Sequence, residues 1–150
     1  MTYNIKGYTI KIDKDDFHFV DGIKWCTNKN GNKIYFEKRI NNKIKYLHRM
    51  IMDCPRGFEV DHKNGDTLDN RKCNLRICKP CENRKNAIHH KNNTSGYKGV
   101  SIHKQTGKWI AQISHDRKHI SLGLYDSKEN AYKAYCAGSR KYHGEYGNVK

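Results

Sequence analysis

Apolar and polar residues alternate through the first part of the chain: Tyr3 and Ile5, then Tyr8, Ile10 and Ile12, with Phe17 and Phe19 keeping the same spacing. A period of two predicts strands. Asn30-Gly31 lies between Trp25-Cys26-Thr27 and Ile34-Tyr35-Phe36, and Asn41-Asn42 lies between Glu37–Arg39 and Ile44–Tyr46. Residues of these types tolerate positive φ, so each pair predicts a tight hairpin turn. Residues 1–48 are therefore expected to be strands and hairpins.

The pattern then changes. Leu47–Met52 reads as a short helix closed by Pro55, and Val60-Asp61-His62 as the end of a strand. Asn64-Gly65-Asp66 turns the chain, Asn74–Ile77 returns as the partner strand, and Pro80 suits the first turn of a helix running to about Ile88. The polar stretch from His89 to Gly96 lacks periodicity and reads as a linker. Beyond it, Val100 and Ile102, then Trp109, Ala111 and Ile113, then Ile120 and Leu122 alternate with polar residues, with a turn at Thr106-Gly107. Three short antiparallel strands follow from this, apolar on one face and polar on the other. Asp126 with Glu129 resembles a capping box, opening a helix that ends before Gly144. Ala131, Ala134, Tyr135, Gly138 and Tyr142 form its buried stripe, and their small members let it sit close to the sheet. The fold class is α+β. An N-terminal β-hairpin region and a strand–strand–helix module occupy residues 1–90, residues 91–95 are a linker, and residues 96–150 are a three-stranded antiparallel sheet on one α-helix.

Composition narrows the partner. Lys and Arg number 30 against 15 Asp and Glu, a formal charge of +15. Cutting at residue 90 leaves both parts strongly basic, +8 before and +7 after. Solubility asks for a magnitude of only ~2–8 in a small domain, so a polyanion is the expected partner. Hydrophobic residues at 35% argue for two small modules rather than one extended core. No signal peptide and no apolar run near the ~20 residues of a membrane span is visible, so the cytoplasm of a bacterial or phage-infected cell is the expected compartment. There the six Cys are expected to be thiols. Cys78-Lys79-Pro80-Cys81 has zinc-knuckle spacing but no matching second pair, so structural zinc is not expected.

The chemistry concentrates in one stretch. Asp61-His62 is followed by Asn74, twelve residues past the His, and by Asn83 nine further on. Phosphodiester hydrolysis needs a base for water and a Lewis acid for the charge at phosphorus and on the leaving oxygen. His62 suits the first, and a divalent ion on Asp61 and Asn83 the second. Asn74 can fix the imidazole, directly or through the His62 carbonyl. Carboxylate and amide oxygens favour Mg²⁺ or Mn²⁺ over zinc. Adjacent strand residues face opposite ways, so Asp61 and His62 need a bend to converge, which the Asn64-Gly65 turn offers.

The segment VDHKNGDTLDNRKCNLR, with Asn83 in ICKPCENRKN, resembles an HNH homing endonuclease of the ββα-metal fold. The resemblance implies Asp61 and Asn83 as metal ligands, His62 as general base and Asn74 as its orienter. The third position is Asn rather than His, as in phage intron-encoded nicking members. Residues 94–150 resemble the DNA-binding domain of plant ethylene-responsive factors, through Gly96–Val100, Gly107-Lys108-Trp109, Leu122-Gly123 and Ala131–Tyr135. That family reads the major groove with its exposed sheet face. The positions here are Lys98, Ser101, His103, Gln112, Ser114, His119 and Ser121, mostly shorter or neutral where the family has Arg; Trp109 is expected in the core. Arg49, Arg76 and Arg84 are expected phosphate contacts, and His48 has no catalytic assignment. The expected protein is a metal-dependent endonuclease on double-stranded DNA, nicking because one chain holds one site, and a monomer or weak dimer. The competing readings are a DNA-binding regulator without nuclease activity and a zinc-organised structural module.

Overall fold

The computed structural model describes residues 1–86, 93–147 and 149. The chain divides into two compact units, Met1–Asn83 and Arg84–Lys150. The expected helix end at 87–88 and residues 89–92 of the expected linker lie outside the described residues.

In the first unit, β1 (Thr2–Ile5) and β2 (Tyr8–Lys11) form an antiparallel hairpin. The alternation at Phe17 and Phe19 is not a strand: Lys14–Phe19 is a 3-10 helix. Asp16 N–H bonds Asp13 O, tightening the chain where Lys14-Asp15-Asp16 are poor strand formers, and both Phe rings still pack on the core. β3 (Cys26–Asn30), β4 (Lys33–Ile40) and β5 (Lys43–Tyr46) follow as a meander. The first turn sits one residue later than expected, because Asn30 pairs with Lys33 and the two-residue loop opens on Gly31 at φ +59. The second is where the sequence places it, with Asn41 and Asn42 both at positive φ.

Helix α1 (Leu47–Ile51) leads to β6 (Glu59–His62), antiparallel to β7 (Leu75–Cys78), and then to α2 (Pro80–Asn86). Ile5, Ile10, Ile12, Val20, Trp25, Phe36, Leu47, Ile51, Val60 and Leu75 make one core, so the N-terminal β region and the strand–strand–helix module share an interior. Burying a side chain of this size is worth ~1.5–3 kcal/mol, and about half of these come from residues before 30.

The second unit has β8 (Val100–Ile102), β9 (Trp109–His115) and β10 (Lys118–Tyr125) in sheet order, with α3 (Lys128–His143) packed on them. Its core is Val100, Ala111, Ile113, Ala131 and Tyr135, with Trp109 packed against it. The helix cap is Ser127 rather than Asp126. Ser127 Oγ accepts from Asn130 N–H (3.2 Å), while Asp126 stays exposed and pairs with Lys108 (2.9 Å). Helix and sheet meet closely at Gly138, where a Cβ would stand 2.6 Å from Leu122 Cδ1.

Candidate functional site

The 62–74 loop is built largely from its own polar side chains. Gly65 N–H returns to His62 O (2.8 Å), and Asn64 and Asp66 accept from backbone N–H groups two residues on, as Asx turns do. Asp69, 1% exposed, takes a bidentate grip from Arg71 (2.8 and 2.7 Å), which holds its carboxyl below the usual range. The N-terminal region clamps the loop from outside. Lys11 exchanges backbone bonds with Leu68 O and Asn70 N (both 2.8 Å), Thr67 Oγ1 accepts from Ile34 N–H, and Lys72 reaches Asp13 and Asp16.

His62 is 5% exposed. Its ring lies 5.3 Å from that of His48 and 6.4 Å from that of Tyr35, centroid to centroid. Burial lowers its pKa, opposed by a hydrogen bond with the Asn70 side chain and by the charge of Asp61. His48, also buried, is pushed down to about 3, chiefly by desolvation, and stays neutral. Asn70 is buried with Nδ2 on Thr67 O (3.3 Å), which fixes the amide that meets the imidazole. The hydrogen bonds of Asn74 go to the loop: Oδ1 accepts from Asn64 N–H (3.1 Å) and Nδ2 donates to Asp69 O (2.8 Å). Any hold of Asn74 on His62 acts through that frame.

Asp61 lies on the other face of the hairpin. Its Oδ2 accepts from Arg76 Nε (2.8 Å) and Nη2 (2.6 Å), and both side chains are almost buried, at 6% and 10% exposure. Glu59, two residues earlier, shares that face. Asn83 Nδ2 donates to Glu59 Oε2 (2.7 Å), joining α2 to the hairpin one pleat from Asp61, roughly 7 Å along the strand. Glu59 was legible in principle from the two-residue period. Asn70, inside an irregular loop, had no periodic signal. Among the described residues, no group of three His, Cys, Asp or Glu side chains gathers as a metal cluster, and all six cysteines are free thiols.

The other expected contacts sit as follows. Arg49 spends its guanidinium on the carbonyls of Phe58 (2.6 Å), Pro55 (3.2 Å) and Cys54 (3.4 Å). Arg84 is exposed on α2. Lys98 is half-buried with Nζ on Lys85 O (2.6 Å), and burial lowers its pKa. Ser101, Gln112, Ser114 and His119 line one hollow of about 260 Å³ on the polar sheet face. Ser121 stands opposite Gln112, and Ser114 Oγ meets His119 Nδ1 at 3.0 Å. His103 is turned to Thr106 Oγ1 (2.9 Å).

An Asp-His pair on a β-hairpin buttressed by a helix, and a second sheet whose polar face is open, fit a modular nuclease acting on DNA. Comparison with known proteins agrees. Residues 45–85 match the family model for HNH endonucleases, and residues 95–145 match the AP2 domain. Protein 3.8 of Escherichia phage T7 is 31% identical over 96 residues, 64% of this chain and 78% of that protein. No solved structure matches. The chain belongs to the HNH endonucleases and carries a C-terminal AP2 DNA-binding domain; it is a DNA-binding, DNA-hydrolysing enzyme. No helix among the described residues is long and apolar enough to cross a membrane.

Proposed function

We propose that the enzyme is a Mg²⁺- or Mn²⁺-dependent homing-type endonuclease that nicks double-stranded DNA in the cytoplasm, with residues 1–90 cutting and residues 96–150 placing the cut. The observation that carries it is the buried His62 imidazole on a hairpin whose other face bears Asp61 and Glu59, with Asn83 of α2 bonded to Glu59. Those three offer only carboxylate and amide oxygens, a set suited to a hard divalent ion. Asp61 and Asn83 would hold it, with Glu59 fixing the Asn83 amide so that its oxygen is the ligating end. A bound ion supplies Lewis-acid stabilisation of the phosphorane charge and of the leaving oxygen. His62, whose pKa burial lowers, takes the proton from the attacking water. Asn70 holds the ring against rotation, and Asn74 holds the loop that carries Asn70. The open sheet face around Gln112 lies in the major groove, which admits a β-ribbon.

One site per chain gives a nick from a monomer or weak dimer. Supercoiled plasmid incubated with Mg²⁺ should pass first to open circles, with none formed in EDTA. Linear product without a circular precursor would contradict the nicking reading, and cutting in EDTA the metal reading.

The Asp61–Arg76 pair gives a second test. Breaking a buried ion pair costs about 3 kcal/mol or more because one charge loses its partner. Arg76→Met should therefore lower metal-free stability by that order, measured by urea unfolding, and Mg²⁺ should restore part of the loss by supplying Asp61 with a new cation. The wild type should respond less. Equal Mg²⁺ responses in the two proteins would remove Asp61 from the ligand set.

A further inference from the structure

Strand β9 turns Ala111 and Ile113 into the core of the second unit, so Ile110, Gln112 and Ser114 line its open face. Their partners on β10 are Leu124, Ser121 and His119. Leu124 is there against the sequence pattern. Ile120, Leu122 and Leu124 share one parity, and a regular strand would turn all three toward the core. The register shifts between Ser121 and Gly123, where Gly123 takes φ +124, and this bulge changes the phase of the strand. Ile120 and Leu122 stay packed on the core, while Leu124 comes out beside Ile110, 43% exposed.

The open face thus runs from an apolar row, through an amide row, to a hydroxyl and imidazole row. No Arg or Lys stands in any of them. In the major groove guanine presents two acceptors, N7 and O6, which call for a guanidinium or an ammonium. Adenine presents the N7 acceptor beside the N6 donor, and a side-chain amide matches that pair with both its atoms. Gln112 is an exposed amide at the middle of the central strand. Thymine adds a 5-methyl group, which apolar side chains cover, as Leu124 and Ile110 can. Residues two apart on a strand are separated by roughly 6.7 Å, close to two base-pair steps of about 3.4 Å. We propose that the AP2 sheet reads an A·T-containing site, with Gln112 bidentate on an adenine and Leu124 with Ile110 on the methyl group of a thymine about two base pairs away. This rests on the reading that the open sheet face enters the major groove, and it adds the base identities and the residues that select them.

In the test, the full-length chain binds a random duplex library in EDTA, which separates binding from cutting, and the bound DNA is sequenced. The wild type should select adenine at one position about tenfold over the other bases. Gln112→Ala should flatten that position and spare the rest. Gln112→Arg should move it to guanine, whose N7 and O6 a guanidinium grips together. On a selected site, 7-deazaadenine at that position should weaken wild-type binding about fivefold, one lost hydrogen bond, and leave Gln112→Ala unaffected. Uracil in place of the thymine should weaken the wild type about fourfold, one methyl group, and Leu124→Ser not at all. Wild type that binds without base preference, or a Gln112-dependent position that is not adenine, overturns this inference alone. Equal wild-type affinity for thymine and uracil sites overturns the part assigned to Leu124 and Ile110. A selected site that stays unchanged in all three variants removes the sheet-face reading and this inference with it.

Discussion

His62→Ala is expected to abolish Mg²⁺-dependent nicking, by at least the ~10²–10⁴ that a positioned general base contributes, while DNA affinity stays near wild type. The split follows from where the ring sits. It is 5% exposed and packed between His48 and Tyr35, so it is a small part of any surface that DNA can touch. Burial lowers its pKa, which favours the unprotonated imidazole, the form able to accept a proton. Truncation also leaves a void, so the comparison needs His62→Gln, which fills more of the space without a comparable base. Both variants should be inactive at saturating enzyme and both should retain DNA binding, measured by fluorescence anisotropy at fixed salt. If either cuts plasmid as well as the wild type, the base has been misassigned. If both bind poorly, the ring holds the DNA surface together rather than doing chemistry.

Most of this architecture can be read from the chain because short-range rules dominate it. Asn41-Asn42 makes its turn since both residues enter positive φ, as the hairpin twist demands. The C-terminal strands alternate cleanly since one face packs on α3, and Gly138 is small because Leu122 lies against it. Where local rules compete, the outcome escaped the pattern. Phe17 and Phe19 keep a strand period inside a 3-10 helix, because a period of two cannot tell a strand from two rings folded back onto the same core. At the α3 start two adjacent cap-forming residues stand in line, and only the position of the sheet end decides that Ser127 caps while Asp126 faces Lys108.

The candidate site divides in the same way. Spacing along the chain singles out Asp61, His62, Asn74 and Asn83. What spacing cannot supply is contact across the fold: Arg76 directly opposite Asp61, Glu59 under Asn83, and Asn70 against the imidazole. Arg49 is a further case: the sequence shows only a basic residue, whereas in the fold three carbonyls take its guanidinium and it pins the chain between α1 and β6.

Gly99→Ala is expected to unfold the C-terminal unit and leave the nuclease unit standing. Gly99 has φ +70, and a Cβ there would lie 2.2 Å from Tyr135 Cδ2 and 2.6 Å from Gln112 O. Neither neighbour can retreat: Tyr135 is 2% exposed in the core, and Gln112 N–H is itself bonded to Gly99 O (2.8 Å). Left-handed backbone strain and overpacking together cost on the order of 3–5 kcal/mol, much of what holds a domain this small. Gly107→Ala is the control. Its φ is +69 but its Cβ would meet nothing within 4 Å, so it carries only the backbone cost, ~1–2 kcal/mol. Hydrogen exchange should show amide protection lost in β8–β10 for Gly99→Ala and kept in β6–β7, with both sets kept for Gly107→Ala. DNA affinity should fall in the first variant, while cutting at saturating enzyme persists. Retained protection in β9 would mean that helix α3 can move off the sheet. Lost affinity together with lost cutting would mean that the AP2 domain takes part in the chemistry and does more than place it.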